Sequence, residues 1–550
     1  MQVSHRGKYS IERLIALEEY TRSTSLLRVW LVCLGTPVPI VVLVILQESL
    51  PLEGPEEGWR TNWGFWIRAA ILGGMTSHGI TIQLNYLMQG INASPYQLSL
   101  LFVVMAIGYT ACSIVVASFW IFPIPFMTLV MTPSFLLLLI GSMRVILGRS
   151  TFQTMLVKRD QLQRLNNAVS IQVLMAVLYP AYQVLFNSLS GSIYELPAFL
   201  LLPVIKVVLK NLVALCLVDT ADLIPENIMF TVHFFNAVYL ATCMQISSSS
   251  FAVAVVMVID LTETAITLNS IYRSSASIMK HLHRTIGPTA SGGLVAAACA
   301  LCQCHEKFTK EERSQVQVHS FFPHQITPAG RKTLANLDSC IKPGPRSSNT
   351  QSMPTMQTIA YATTDHFRVL FSHQWGALIH PAVPMKLIQS KMVNVKKSSS
   401  RDVVTAVPSV QHITTLRKTL SIMFTIECIV LSEYVEFVIP LLYSNYVVMM
   451  VNLPSARYHT EMAGVSEANV GSTVQAVIIY GLFELASFVL FIFIVKKSCG
   501  IQALYHLAFV LETQMMSIQS KIMGWMLITL GFRVVHFGTL RTTLHYFVAL

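Results

Sequence analysis

At 550 residues the chain is 53% hydrophobic and only 12% charged, with a formal net charge of +11. That balance excludes an ordinary soluble multidomain protein and places the chain in the membrane class. The basic excess is local: Arg273 to Lys418 holds 18 Lys and Arg against 6 Asp and Glu. Such a stretch is retained on the cytosolic side during insertion. It lacks the interleaved aromatic and basic pattern of a nucleic-acid module, so no nucleic-acid partner is expected.

Residues 1–27 carry Arg6, Lys8, Arg13 and Arg22 with Glu12, Glu18 and Glu19, while Ile11, Leu14, Ile15 and Leu17 share one helix face. This predicts a cytosolic amphipathic segment lying on the membrane. A first span at 29–46 contains Pro37 and Pro39 and should kink there. The acidic, Trp-rich stretch that follows suits the opposite side of the membrane. Further apolar runs at 65–88, 98–122 and up to 147 lead to a basic loop at Arg149 to Arg164, so the parity of crossings agrees with a cytosolic N-terminus.

Four more runs, 169–186, 196–218, 228–246 and 251–271, return the chain to the basic region. Residues 272–418 are rich in Ser, Thr, Gln, His, Pro and Lys and are expected to be a largely disordered cytosolic loop. Its piece TASGGLVAAACALCQC is too short and too rich in small residues for a good span. Beyond it, 421–451 and 474–495 resume spanning; of the last stretches, IQALYHLAFVLETQMMSI is read as an interfacial amphipathic helix or a short span, and KIMGWMLITLGFRVVHFG as a final span. The expected fold class is all-α: a polytopic integral membrane helical bundle of about 10 to 12 transmembrane helices. Its expected divisions are a cytosolic segment 1–27, a bundle of about eight helices at 28–271, the basic loop 272–418 and a C-terminal membrane region 419–550.

Charge inside the apolar runs is the informative feature. Lys206 and Lys210 lie four apart on one helix, Asp260 and Glu263 three apart on another, and Glu433 and Glu436 three apart on a third. Lys206, Asp260 and Glu484 each fall near the middle of a run, so they share a depth at which an ionised group costs about 2.5–3.5 kcal/mol on insertion scales. Lys206, Lys210, Asp260, Glu263 and Glu484 are therefore the intramembrane charged candidates, read either as a proton- or cation-linked site or as an assembly pair of Lys206 with Asp260. In the second of these readings Glu433 and Glu436 sit near the outer interface. His233 is a candidate proton relay, because a free imidazole titrates near neutral pH.

Most of the ten cysteines sit in apolar runs and behave as small hydrophobes. The cluster Cys299, Cys302, Cys304 and His305 is too compact to close a tetrahedral metal site, and Cys299, Cys302 and Cys304 beside basic residues are candidates for palmitoylation. No phosphate loop, nucleophile elbow or zincin helix is present, so no enzyme activity and no cofactor are expected.

Several runs carry a family resemblance: SIERLIALEEYTRSTSLLRVWLVCLGTPVPIVVLVILQESLPL, FPIPF, LYPAYQVLF, LLPVIKVVLKN, HFFNAVYLATCMQ and the late GFRVVHFG. Together they resemble a large family of multi-pass membrane proteins of Phytophthora-type oomycetes. The resemblance implies a helical membrane protein, and it carries over no catalytic or ligand residue because the family has no assigned biochemical function. The ending GTLRTTLHYFVAL departs from the family's usual one, which implies a divergent or altered terminus. The functional expectation is a transporter or channel for a small solute or ion. The alternative is a membrane scaffold or sensor whose basic loop meets anionic lipid or a cytosolic partner. Either is expected in the plasma membrane or an endomembrane.

Overall fold

Each apolar run folds as a helix that stops at a Gly, Pro or polar break, so the breaks set the element list. The computed structural model describes residues 9–88, 91, 93–216, 224–247, 249–286, 293–303, 316–320, 324, 326–339 and 409–537. All of them belong to one unit made of 1–341 and 409–550, and a second unit, Lys342–Pro408, lies outside the described residues. The chain begins with α1 (Ile11–Ser23), α2 (Leu26–Gly35), α3 (Val38–Glu48), α4 (Trp63–Leu87), α5 (Pro95–Phe119) and α6 (Met127–Val130). It continues with α7 (Thr132–Ile146), α8 (Arg149–Val157), α9 (Arg159–Leu189), α10 (Glu195–Cys216), α11 (Ile224–Asn227), α12 (Phe234–Ile246) and α13 (Ser250–Ile286). After these come α14 (Gly293–Gln303), α15 (Pro328–Ser339), α16 (Ser409–Met450), α17 (Val470–Cys499), α18 (Ala503–Thr513) and α19 (Met515–Arg533). No strand forms among the described residues, where an isolated backbone bridge joins His459 to Val534.

The fold is all-helical. Seven described helices are long and apolar enough to cross a bilayer, or eight if the bent pair α7 and α8 is one span. The expected ten to twelve crossings are not confirmed. Helices α4, α16 and α19 are also long but are not among these seven. Leu27, Ile107, Val145, Phe251 and Phe493 stand out from the bundle exposed, a belt that fits lipid and would not suit water.

One span is unlike the others. From Ile224 to Ile246, formed by α11, a π-helical turn at Ile228–His233 and α12, 94% of the apolar window is buried, against 28% for α5. A helix apolar all round has no face for the surface, and α9, α10, α16, α17 and α19 enclose it. Alongside, α4 and α5 pack closely because Gly73 and Gly74 leave room for Tyr109 and Phe102: a Cβ would stand 2.9 and 2.7 Å from those side chains. The first span breaks between Gly35 and Val38, at the expected Pro37.

Polar groups lock both ends of the bundle. At one end Arg13 of α1 donates to both oxygens of Glu427 of α16, at 3.1 and 2.8 Å, and His506 of α18 lies 3.0 Å from the same carboxylate. All three are buried. At the other end Arg68 donates to Glu48 Oε2 at 2.7 Å and to the Leu50 carbonyl at 2.8 Å, capping α3, while His459 Nε2 meets the same Glu48 oxygen at 2.9 Å. Glu461 lies against His459 Nδ1 at 3.4 Å and Arg533 at 3.6 Å, so the loop between α16 and α17 is drawn into the bundle.

Several expectations are corrected here. Helix α1 is more than a surface segment: it carries the buried Arg13 and packs against α14, α15 and α18. The basic region 272–418 is not wholly irregular, because α13 continues to Ile286 and α14 and α15 form within it. Backbone donors Ile11 and Glu12 bond to Gln317 and Val318, and Glu19 accepts from Thr327, so part of this region is strapped to α1. Cys299 and Cys302 are buried in α14. Burial pushes the Cys299 thiol well above its ordinary value, which removes the thiolate that acylation needs and argues against palmitoylation there. Cys304 lies outside the described residues, as does the ending GTLRTTLHYFVAL. The stretch read as one interfacial helix is split: α18 is 11 residues, about 16 Å and too short to cross, and α19 starts at Met515.

Two predictions test these locks. Arg13→Ala leaves Glu427 buried without its cation and should cost about 3–5 kcal/mol, read as thermal unfolding of the protein in detergent micelles. An unchanged midpoint would mean α1 contributes no stability. Burial alone would lower the His459 imidazole, yet the Glu48 charge and hydrogen bonds to Glu461 and Glu48 push it up to about 9. Its contribution, on the order of 3 kcal/mol, is then complete below the unfolded value near 6.5 and lost as pH rises through about 9. The unfolding midpoint should fall from pH 7 to pH 10 in the natural protein and much less in His459→Asn; equal slopes would refute the assignment.

Candidate functional site

The intramembrane charges converge. Lys206 stands near the middle of α10 with Pro203 one turn before it, and Glu436 stands one turn before Pro440 in α16. A proline inside a helix removes a backbone donor and loosens the turn preceding it, so α16 is weakened at Glu436 itself and α10 in the turn before Pro203. Lys206 Nζ donates to Glu436 Oε1 at 2.8 Å. The expected pairing of Lys206 with Asp260 is thus replaced: Asp260 Oδ2 accepts instead from the Tyr480 hydroxyl of α17 at 3.1 Å.

His233 reaches the same carboxylate from the π-helical turn. Its Nδ1 lies 3.0 Å from Glu436 Oε1 and 2.8 Å from Ser432 Oγ. A carboxylate oxygen only accepts, which assigns the proton to Nδ1. Nε2 is buried and has no partner among the described residues. The insertion that makes the π turn re-aims side chains around it, a geometry recurrent at functional sites.

Glu433 and Glu436 are not at an outer interface. Glu433 is buried and accepts from Thr264 of α13 at 3.3 Å and Ser487 of α17 at 2.9 Å. The i, i+3 spacing was the available signal, and what it lacked was the register: α16 runs 42 residues, so both glutamates lie deep in it. Tyr480, Glu484 and Ser487 recur at helical spacing on one face of α17.

These groups surround a cavity of about 190 Å³, with Lys206, Lys210, Asp260, Glu263, Glu433, Glu436 and Glu484 all in its wall. It extends along α10 from Lys206 to Asn211, along α13 from Asp260 to Thr267 and along α16 from Glu436 back to Thr425. Glu263 and Val207 are exposed at its rim, whereas Glu484 and Glu433 are buried at its floor. The five intramembrane candidates therefore share one cavity, and His233 stands behind its wall, bonded to Glu436. Among the described residues no group of three or more His, Cys, Asp or Glu is arranged to hold a metal ion.

No family model, curated protein or solved structure matches the chain.

If the Lys206 pair is energetically coupled, Lys206→Met should cost about 3–5 kcal/mol of stability, because Glu436 remains buried without its amine. The double variant Lys206→Met with Glu436→Gln should recover part of that loss. Additive effects in micelle unfolding, within about 0.5 kcal/mol, would mean the two are not coupled.

Proposed function

We propose that this chain is a non-enzymatic multi-pass membrane protein that passes a small solute or ion across the plasma membrane or an endomembrane. Under the resemblance described above, it is kin to the oomycete multi-pass family. The observation that carries the reading is the charged cavity at mid-depth, walled by α10, α13, α16 and α17. Ionisable groups inside a bundle are expensive and recur where ions or protons move. In this reading the Lys206, Glu436 and His233 cluster holds the cavity's resting arrangement, and entry of solute competes for Glu436. Pro203 and Pro440 give α10 and α16 a place to bend as that contact breaks. The basic stretch 272–418 carries the charge that would meet anionic headgroups or a cytosolic partner.

The test is thiol accessibility in intact vesicles, on a background with the ten native cysteines replaced. Thr264→Cys and Thr267→Cys, both in the cavity wall, should react with a small charged membrane-impermeant reagent, while Ile107→Cys on the outer face of α5 stays silent. If both wall positions stay silent while loop controls react, the cavity is dry. The reading then passes to the scaffold or sensor role of the basic region.

A further inference from the structure

The charges in the cavity wall do not balance. Five carboxylates, Asp260, Glu263, Glu433, Glu436 and Glu484, face two amines, Lys206 and Lys210. Lys206 is matched to Glu436 at 2.8 Å. Even with Lys210 set against Glu263, no cation among the described residues lies within ion-pair distance of Asp260, Glu433 or Glu484, and the single charge of Lys206 is shared among them and Glu436. Hydroxyls serve two of the three: Tyr480 donates to Asp260, and Thr264 and Ser487 donate to Glu433. Glu484 has neither hydrogen bond nor ion pair among the described residues, although it is only 4% exposed and lines the cavity. A carboxylate so buried is tolerable only as the neutral acid or beside a cation supplied from outside the chain.

The arrangement also limits which cation fits. The carboxylates are too dispersed to form a metal site among the described residues. A hard divalent ion gathers six or more oxygens at about 2.0–2.6 Å, whereas an ammonium needs only two or three acceptors. The wall adds apolar surface from Val207, Ile228, Met229 and Ile429. Its volume of about 190 Å³ is far more than one water-sized ion fills, about 10–15 Å³ on this scale, which suits a small alkyl body better than a bare ion. Ser432, Thr264 and Thr267 supply hydroxyls along the way out.

We propose that the cavity binds a small organic ammonium ion, with the charged nitrogen at Glu484 between Asp260 and Glu433 and the alkyl part against Val207, Met229 and Ile429. This rests on the passage reading only for its biological use, since the site exists whether or not anything crosses. When the ammonium leaves, a proton from water takes its place on the carboxylates.

The experiment is calorimetric titration of the purified full chain in detergent micelles with butylammonium chloride, with butyrate, n-butanol and Mg²⁺ as controls. Saturable butylammonium binding is expected, weaker by at least about tenfold in Glu484→Gln, the loss that follows from removing one charge-assisted contact. Absence of saturable binding, equal affinity in Glu484→Gln, or equal binding of butyrate overturns the proposal. A second measurement needs no variant: dicyclohexylcarbodiimide should modify Glu484 of the natural protein, read by peptide mass spectrometry, and butylammonium should protect it where butyrate does not. Equal modification with and without butylammonium also overturns it. Micelle binding without flux into vesicles would sink the passage reading and leave this one standing; proton flux without ammonium binding would do the reverse.

Discussion

A helix buried on every side governs this structure. Because the span from Ile224 to Ile246 has no free face, each neighbour must meet it through side chains, and its own polar groups must find partners within the bundle. Thr242 accepts from Arg533 of α19, Gln245 accepts from Tyr443 of α16 and donates to the Glu461 carbonyl, and His233 faces Glu436. At its start, Glu226 takes two contacts of 2.7 Å from Lys521 of α19. Helix α16, the loop that follows it and α19 are thereby tied to one axis.

The buried charges then divide into two kinds. Those at Arg13, Arg68 and Lys521 are closed: each cation has a carboxylate against it and helps fix how one element enters the bundle. In such places a buried pair specifies a unique arrangement more than it adds net stability. The charges around Lys206 are open, with more acid than base and empty volume beside them. The contrast within one molecule is what marks the cavity as more than an assembly device.

Much of the candidate site was legible in the sequence, because a charge in an apolar run stands out and its depth follows from counting residues. Lys206, Asp260 and Glu484 were found in that way. Partner choice was not legible: Lys206 meets Glu436 rather than Asp260, since depth along an axis says nothing of rotation about it. The helices within the basic region were missed for another reason. GLVAAACALCQ reads as too short to span, which is true, yet it needs only a partner surface, and α1 provides one. Arg13 reads in the sequence as one charge among several of the N-terminal segment, because its partner Glu427 lies 414 residues away.

That long separation also constrains how the protein is made. Lys206 enters the membrane 230 residues before Glu436 is synthesised. At about 5–20 residues per second, roughly 10–50 s pass with the amine unmatched in a nascent bundle. Over that interval the early helices cannot take their final positions, and the central span, met only by α9 and α10, has an incomplete wall until α16, α17 and α19 emerge. A ribosome-bound chain lacking its last third therefore presents buried-type charge and polar residues to the insertion machinery. It is a natural client for intramembrane chaperones, and stalling or premature termination there leaves a species suited to degradation rather than to storage.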